Sequence, residues 1–209
     1  MRRGYLYTLL SFTILTLASC SATKFVPDGY YLLDEVKVST NNKEVKPSSL
    51  RNYVRQNPNA KWFSLIKTQL YVYDLSGRDS SKWYNKFLRK IGDAPVIYNE
   101  SEAQRSQEEI TKAVQNMGYM SASVKRTTKI KKKKLKLYYE VTTGKPYTVR
   151  TLKYDIGDPK VGEYMRKDSA NTLLKEGMLF DVNVLDAERQ RITDHLSVSY
   201  THLTLPTIA

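Results

Sequence analysis

The sequence predicts an α+β fold whose elements run strand, helix, helix, strand, strand, and three observations carry that prediction. One helix has both a start and a stop signal, over Ser101 to Gly118. Two stretches of strict alternation follow it around a lysine-rich turn, and a third lies near the N-terminus.

Leu32 and Leu33 lead into alternating Val36 and Val38, so Tyr30 to Val38 reads as a strand ended by the turn pair Asn41-Asn42. Pro47 then opens a helix on which Leu50, Tyr53 and Val54 recur at helical spacing. Asn57-Pro58-Asn59 stops it. Lys61 to Leu75 fits neither period, since Trp62, Phe63, Leu65, Ile66, Leu70, Tyr71, Val72 and Tyr73 follow no single face. It reads as part of an insertion near 58–92. Past Gly77, Ser80 or Ser81 is placed to cap a helix through Ile91, with Trp83, Phe87, Leu88 and Ile91 on one side.

Ser101 with Gln104 gives a capping-box pattern, Ile110, Val114 and Met117 give the apolar stripe, and Gly118 supplies a left-handed cap. Met120, Ala122, Val124, Arg126 and Thr128 then alternate with the opposite face, as do Leu135, Leu137, Tyr139 and Val141 after the lysines. This is a helix feeding a hairpin. Gly144-Lys145-Pro146 breaks the last strand, and Val149, Leu152, Tyr154 and Ile156 suggest a further one before Gly157-Asp158-Pro159.

A weak repeat lies across the two halves: Pro95 to Asn99 falls on Gly177 to Asp181, and Glu109-Ile110-Thr111 on Arg191-Ile192-Thr193. Ile97 meets Leu179 and Ile110 meets Ile192, one offset of 82 residues.

The N-terminus reads as a leader. Arg2 and Arg3 form a positive start, and Tyr5 to Leu17 an uncharged apolar run too short for a stable membrane span. Leu17-Ala18-Ser19-Cys20 resembles a bacterial lipobox, which implies acylation of Cys20 and cleavage before it. The competing reading is an ordinary cleaved signal with an incidental cysteine. Cys20 is the only cysteine, so its acylation would leave no thiol for a disulfide, a metal or a nucleophile. Ser21-Ala22-Thr23-Lys24, without an aspartate after the cysteine, resembles signals for the outer membrane on its periplasmic face. Without Arg2 and Arg3 the formal charge falls only from +13 to +11, so the mature chain stays strongly basic.

The element order, with Asn116-Met117-Gly118-Tyr119 between second helix and second strand, resembles a POTRA domain. So does Tyr139-Glu140-Val141-Thr142-Thr143-Gly144-Lys145-Pro146-Tyr147, as a third strand running into the next repeat. POTRA domains precede the barrel in the BamA/TamA superfamily of outer-membrane assembly proteins. A lipidated N-terminus combined with Arg89-Lys90-Ile91-Gly92-Asp93-Ala94-Pro95-Val96-Ile97-Tyr98 resembles the lipoprotein, TamL-like form. The resemblance implies β-α-α-β-β segments, each a three-stranded sheet with two helices on one face. The expected organisation is a signal peptide at 1–19, a lipidated Cys20 and tether at 20–27, and a first POTRA-like segment at 28–145. An incomplete second segment covers 146–196. The tail 197–209 resembles translated sequencing-adapter DNA and reads as non-native, so the barrel and remaining hairpin are expected to be missing; a genuine short strand is the other reading.

The function this implies is a lipid-anchored periplasmic module for assembly or translocation of outer-membrane proteins, without catalysis. It would bind unfolded outer-membrane clients, or a periplasm-spanning TamB-like partner, by strand addition along Met120 to Lys129 or Tyr30 to Val38. Between these edges the sequence does not choose. Lys131, Lys132, Lys133 and Lys134 read as a solvated hairpin tip or as a contact for anionic lipid or polymer, the second hypothesis for the whole chain. Nucleic acid is not an expected partner, because the aromatic stacking platform it uses is not evident. No cofactor, metal ligand or catalytic residue is read: His195 and His202 fall at the extreme C-terminus, and Glu108 and Glu109 diverge on a helix.

Overall fold

The structure, a computed structural model, describes residues 22–62 and 67–203. The leader 1–19, Cys20 and the chain after Leu203 lie outside the described residues. Among those described, strands β1 (Leu32–Thr40), β2 (Ser123–Lys131) and β3 (Lys134–Thr142) form one three-stranded sheet in the order β1-β3-β2. Leu32 N–H donates to Lys133 O and Asn41 N–H to Val141 O, so β1 runs parallel to β3. Parallel neighbours need a long crossover, and the helices supply it. β3 alternates strictly, with Leu135, Leu137, Tyr139 and Val141 buried. The fold is α+β, as predicted.

Six helices are present among the described residues: α1 (Pro47–Leu50), α2 (Thr68–Leu75), α3 (Trp83–Ile91), α4 (Glu100–Asn116), α5 (Pro159–Lys167) and α6 (Val182–Leu203). A 3₁₀ turn, Arg51–Tyr53, continues α1, so the helix opened by Pro47 is shorter than its spacing suggested. Two caps differ from expectation. Neither Ser80 nor Ser81 caps α3; Lys82 stands at the N-cap, and the Ser81 hydroxyl donates instead to Asp79 at 2.6 Å. On α4 the cap is Asn99, whose Oδ1 accepts from Ser101 N–H at 2.9 Å and Ser101 Oγ at 2.8 Å. The amide reaches the first-turn N–H groups from two residues further upstream.

By packing, the described chain divides into two compact units. One holds 22–39, 54–107 and 125–140; the other holds 40–53, 108–124 and 141–203. In the first, Ala22, Val26, Leu32 and Leu70 form a buried cluster, and the Tyr139 hydroxyl ties β3 to α4 through Ala103 O at 3.0 Å. The insertion is a helical hairpin of α2 against α3. A Cβ on Gly92 would lie 2.4 Å from Tyr73 N, so only glycine permits that approach. Its base is closed by side chains: Asn59 donates to Ala94 O at 2.7 Å and accepts from Val96 N–H at 3.1 Å, and Gln56 accepts from Asn99 N–H at 3.1 Å. Lys67, 6% exposed, donates to Asp34 O and Oδ1 at 2.7 and 3.0 Å and fastens α2 to β1. Burial draws its pKa below the ordinary lysine value.

In the second unit, Leu50, Ile110, Val114, Tyr119 and Val141 are buried, and the Tyr119 hydroxyl donates to Glu44 at 2.8 Å. Gly118, at φ +93, closes α4; its carbonyl accepts Tyr147 N–H at 2.8 Å, and a Cβ there would lie 2.6 Å from Phe180 O. The expected strand from Val149 to Ile156 does not form. Only Thr148 bridges, to Leu179, because no other backbone row among the described residues lies alongside to complete a ladder. Asp158 caps α5 by accepting from Lys160 N–H at 2.7 Å, ahead of Pro159. α6 continues as helix to Leu203, so the segment 197–203 is helical and not a strand.

The 82-residue offset reappears in the hydrogen bonds. Leu33 N–H donates to Val96 O and Tyr98 N–H to Tyr31 O; likewise Val149 N–H donates to Met178 O and Phe180 N–H to Tyr147 O. Asn99 and Asp181 each accept from the amide two residues on, at 2.9 and 2.8 Å. Chance similarity of letters does not reproduce a bonding pattern. The bridged pairs, Leu32 with Ile97 and Thr148 with Leu179, also give two different offsets, 116 residues on the strand side and 82 on the other. The first repeat therefore carries 34 more residues between its two bridging segments, and these belong to the α2–α3 hairpin.

Candidate interaction surfaces

β1 and β2 are the edges of the sheet, and they are not equivalent. The outer side of β1 is occupied at its start by 96–98, through the two amide bonds just described, and the Lys67 ammonium takes the Asp34 carbonyl. Among the described residues, no such segment is hydrogen-bonded along the outer side of β2 over 125–131. The two-residue turn sets Lys131 opposite Lys134, and antiparallel alternation then aims the N–H groups of Arg126, Thr128 and Ile130 away from β3. The base of this edge is tied to the segment before α4. Arg126 donates to the Tyr98 hydroxyl at 3.0 Å and pairs with Glu100, and burial followed by Glu100 pushes the Tyr98 phenol up to about 12.

The four lysines, read as a solvated tip or an anionic-surface contact, have different settings. Lys133 donates to Asp28 at 2.6 Å and its carbonyl accepts from Leu32, so it binds the hairpin to the N-terminal segment. Lys134 is half-buried. Lys131 and Lys132 are exposed, the latter at φ 55 in the turn. Left-handed backbone at a non-glycine residue costs about 1–2 kcal/mol. Cys20 lies outside the described residues.

Among the described residues, three acidic side chains that the sequence did not single out are buried. Glu188, 2% exposed, accepts from Leu173 N–H and the Thr172 hydroxyl at 2.9 Å, and from Arg191 through two nitrogens at 2.9 Å. Arg191, foremost, holds its carboxyl down to about 2. Asp168 also pairs with Arg191 and accepts from Asn171 at 2.7 Å. The i,i+3 spacing of Glu188 and Arg191 was the available signal. Asp74, 2% exposed, has no hydrogen-bond partner for either carboxylate oxygen among the described residues.

A family model, POTRA, described as "Surface antigen variable number repeat", matches residues 31–144, more than half of the chain. The chain belongs to the POTRA family. The match ends where β3 of this POTRA sheet gives way to Gly144, whose φ of 70 turns the chain. Among solved structures, it is similar to POTRA1-2 of the periplasmic domain of Omp85 from Anabaena, at 12% identity and TM-score 0.35, covering 83% of this chain and 82% of that one. It is also similar to Haemophilus influenzae BamA POTRA3-5, at 14% identity and TM-score 0.32, covering 81% and 88%. No curated protein matches it. No helix among the described residues is long and apolar enough to cross a membrane.

Proposed function

We propose that this POTRA chain is a module of an outer-membrane protein assembly or translocation machine, lipid-anchored through Cys20 at the periplasmic face of the outer membrane. Its working element is the β2 edge. An unfolded outer-membrane client, or a segment of a periplasm-spanning TamB-like partner, adds as a fourth strand there through main-chain hydrogen bonds. The observation that supports this reading is the asymmetry of the sheet, with β1 covered at its start and Arg126, Thr128 and Ile130 directing amides outward from β2. Main-chain pairing tolerates many client sequences, which suits a protein that must receive many barrels.

Thr128→Pro tests it. Proline at an outward-facing position leaves the β2–β3 ladder intact but deletes one donor and blocks the approach of a new strand. Capture of a peptide copying one barrel strand, followed by site-specific crosslinking from β2, is expected to fall about tenfold. Thr128→Ala should retain it, because the side chain is not what binds. Undiminished capture by Thr128→Pro would remove β2 as the binding edge.

A further inference from the structure

Among the described residues, six of the thirteen large hydrophobics left exposed belong to the α2–α3 insertion and its flank: Trp62, Leu75, Trp83, Tyr84, Phe87 and Ile91. The helix α3 concentrates them in a pattern. Trp83, Phe87 and Ile91, at 78%, 57% and 51% exposure, form one i, i+4, i+8 row. Lys82, Lys86 and Lys90, all exposed, form the row immediately beside it. The inward row is Asn85 and Arg89. Asn85 is 2% exposed and bonded to Gly77 N–H at 2.7 Å, and Arg89 lies over the Phe25 and Tyr73 rings. The apolar side of this helix therefore faces solvent because its polar side is the one that packs. No acidic residue interrupts α3.

An outward aromatic row flanked by a lysine row is the chemistry of a bilayer interface: rings settle at headgroup level while ammonium groups meet anionic phosphate. Its position on the chain agrees. Ala22 is buried in the cluster that includes Leu70 of α2, and Lys24 donates to Asp74 O in the last turn of α2 at 2.9 Å and to Ser76 O just past it at 2.7 Å. Cys20 precedes Ala22 by two residues, a reach of at most about 7 Å. The hairpin is thus the part of the chain beside the proposed anchor.

We propose that the α2–α3 hairpin is a membrane-contact element that lays the Trp83/Phe87/Ile91 row of α3 into a bilayer interface carrying anionic headgroups. In its native setting this rests on the acylation of Cys20 proposed above, but the contact itself does not require the acyl chain. The mature chain from residue 20, without the apolar leader and carrying Cys20→Ser, is therefore the test protein. Trp62 and Trp83 are its only tryptophans, so Trp62→Phe leaves Trp83 as sole emitter. On phosphatidylcholine vesicles containing phosphatidylglycerol, Trp83 emission is expected to shift to the blue and to be quenched by lipid-borne bromine. Trp83→Ser/Phe87→Ser/Ile91→Ser should lower flotation with these vesicles about tenfold or more, and Lys82→Gln/Lys86→Gln/Lys90→Gln should weaken the preference over phosphatidylcholine alone about tenfold. Unchanged flotation of the serine variant, or Trp83 remaining open to aqueous iodide on vesicles, overturns the proposal. So does a chain that ignores vesicles but forms a dimer lost in the serine variant, which would assign the face to a second copy. The quenching needs only Cys20→Ser and Trp62→Phe, so the result stands even if the serine variant misfolds. Palmitate labelling of unsubstituted Cys20 in cells tests the anchor separately.

Discussion

Asp74→Asn should make the protein more stable at neutral pH and leave it unchanged in mild acid. The Asp74 carboxyl is 2% exposed, neither oxygen accepts a hydrogen bond from the described residues, and it sits in the last turn of α2, where the helix dipole opposes a negative charge. Burial, only partly offset by the Lys24 ammonium, raises its pKa from 3.8 to about 6. A carboxyl raised by folding holds its proton in the native state after the unfolded chain has released it. The native state thus binds more protons between pH 3.8 and 6, and stability falls as pH rises through that window. A rise of that size corresponds to about 3 kcal/mol, reached in full above pH 6. Asparagine keeps the shape and removes the ionisation. Urea unfolding of the Cys20→Ser chain, followed by tryptophan fluorescence from Trp62 and Trp83 around this hairpin, should therefore show the Asp74→Asn variant ahead by about 2–3 kcal/mol at pH 8, with the gap closing by about pH 4. A gap that does not change with pH, or a variant weaker than the parent at pH 8, would refute the reasoning.

Two further substitutions probe the second unit. Gly118→Ala places a Cβ 2.6 Å from Phe180 O in backbone at φ +93, so a loss of about 2–4 kcal/mol is expected, with faster hydrogen exchange at the Tyr147 amide that Gly118 O accepts; unchanged exchange there would show the approach to be adaptable. Glu188→Gln weakens the Arg191 pair and should cost about 2 kcal/mol at pH 7; since folding depresses this carboxyl from 4.5 to about 2, its stabilisation is present above pH 4.5 and fades as pH falls toward 2, so denaturation at pH 3 should show a smaller gap than at pH 7.

What the residues disclosed follows from how local each signal is. The β2–β3 hairpin and α4 were legible because alternation and helical spacing are read within one segment: Leu135, Leu137, Tyr139 and Val141 are buried as their period demands. Asn99 caps α4 in place of Ser101 because both side chains can accept from a helix's first N–H groups and only geometry decides which one reaches them. The Val149 to Ile156 strand was misread for a different reason. Leu152, Tyr154 and Ile156 do alternate, but a strand exists only with a partner beside it; 177–180 pairs with the chain as far as Val149, and sequence period says nothing of where a partner ends. For α3, spacing places Trp83, Phe87 and Ile91 on one side, as they are, but says nothing of which side packs: that is set by Asn85 and Arg89, through the Gly77 turn and the Phe25 and Tyr73 rings. The inequivalence of the sheet edges was not legible either, because it depends on 96–98 returning to β1 across the insertion.

The insertion lengthens the connection between β1 and its bridging segment without disturbing the bridge itself. Lengthening a connection costs only a slowly growing loop entropy, provided its ends stay where the shorter loop held them. Here Gln56 and Asn59 bond across the base to 94–99, so the added residues leave the bridge from Leu32 to Ile97 in the form it takes between Thr148 and Leu179 in the second repeat. That same bridge is what covers the start of β1 and leaves β2 as the available edge. α2 is then fastened to β1 by Lys67 and to the N-terminal segment by Lys24, on groups that β2 does not use. A hairpin that the second repeat lacks thereby stands between the strand and its bridging segment, and among the described residues no segment is hydrogen-bonded along the outer side of β2 over 125–131.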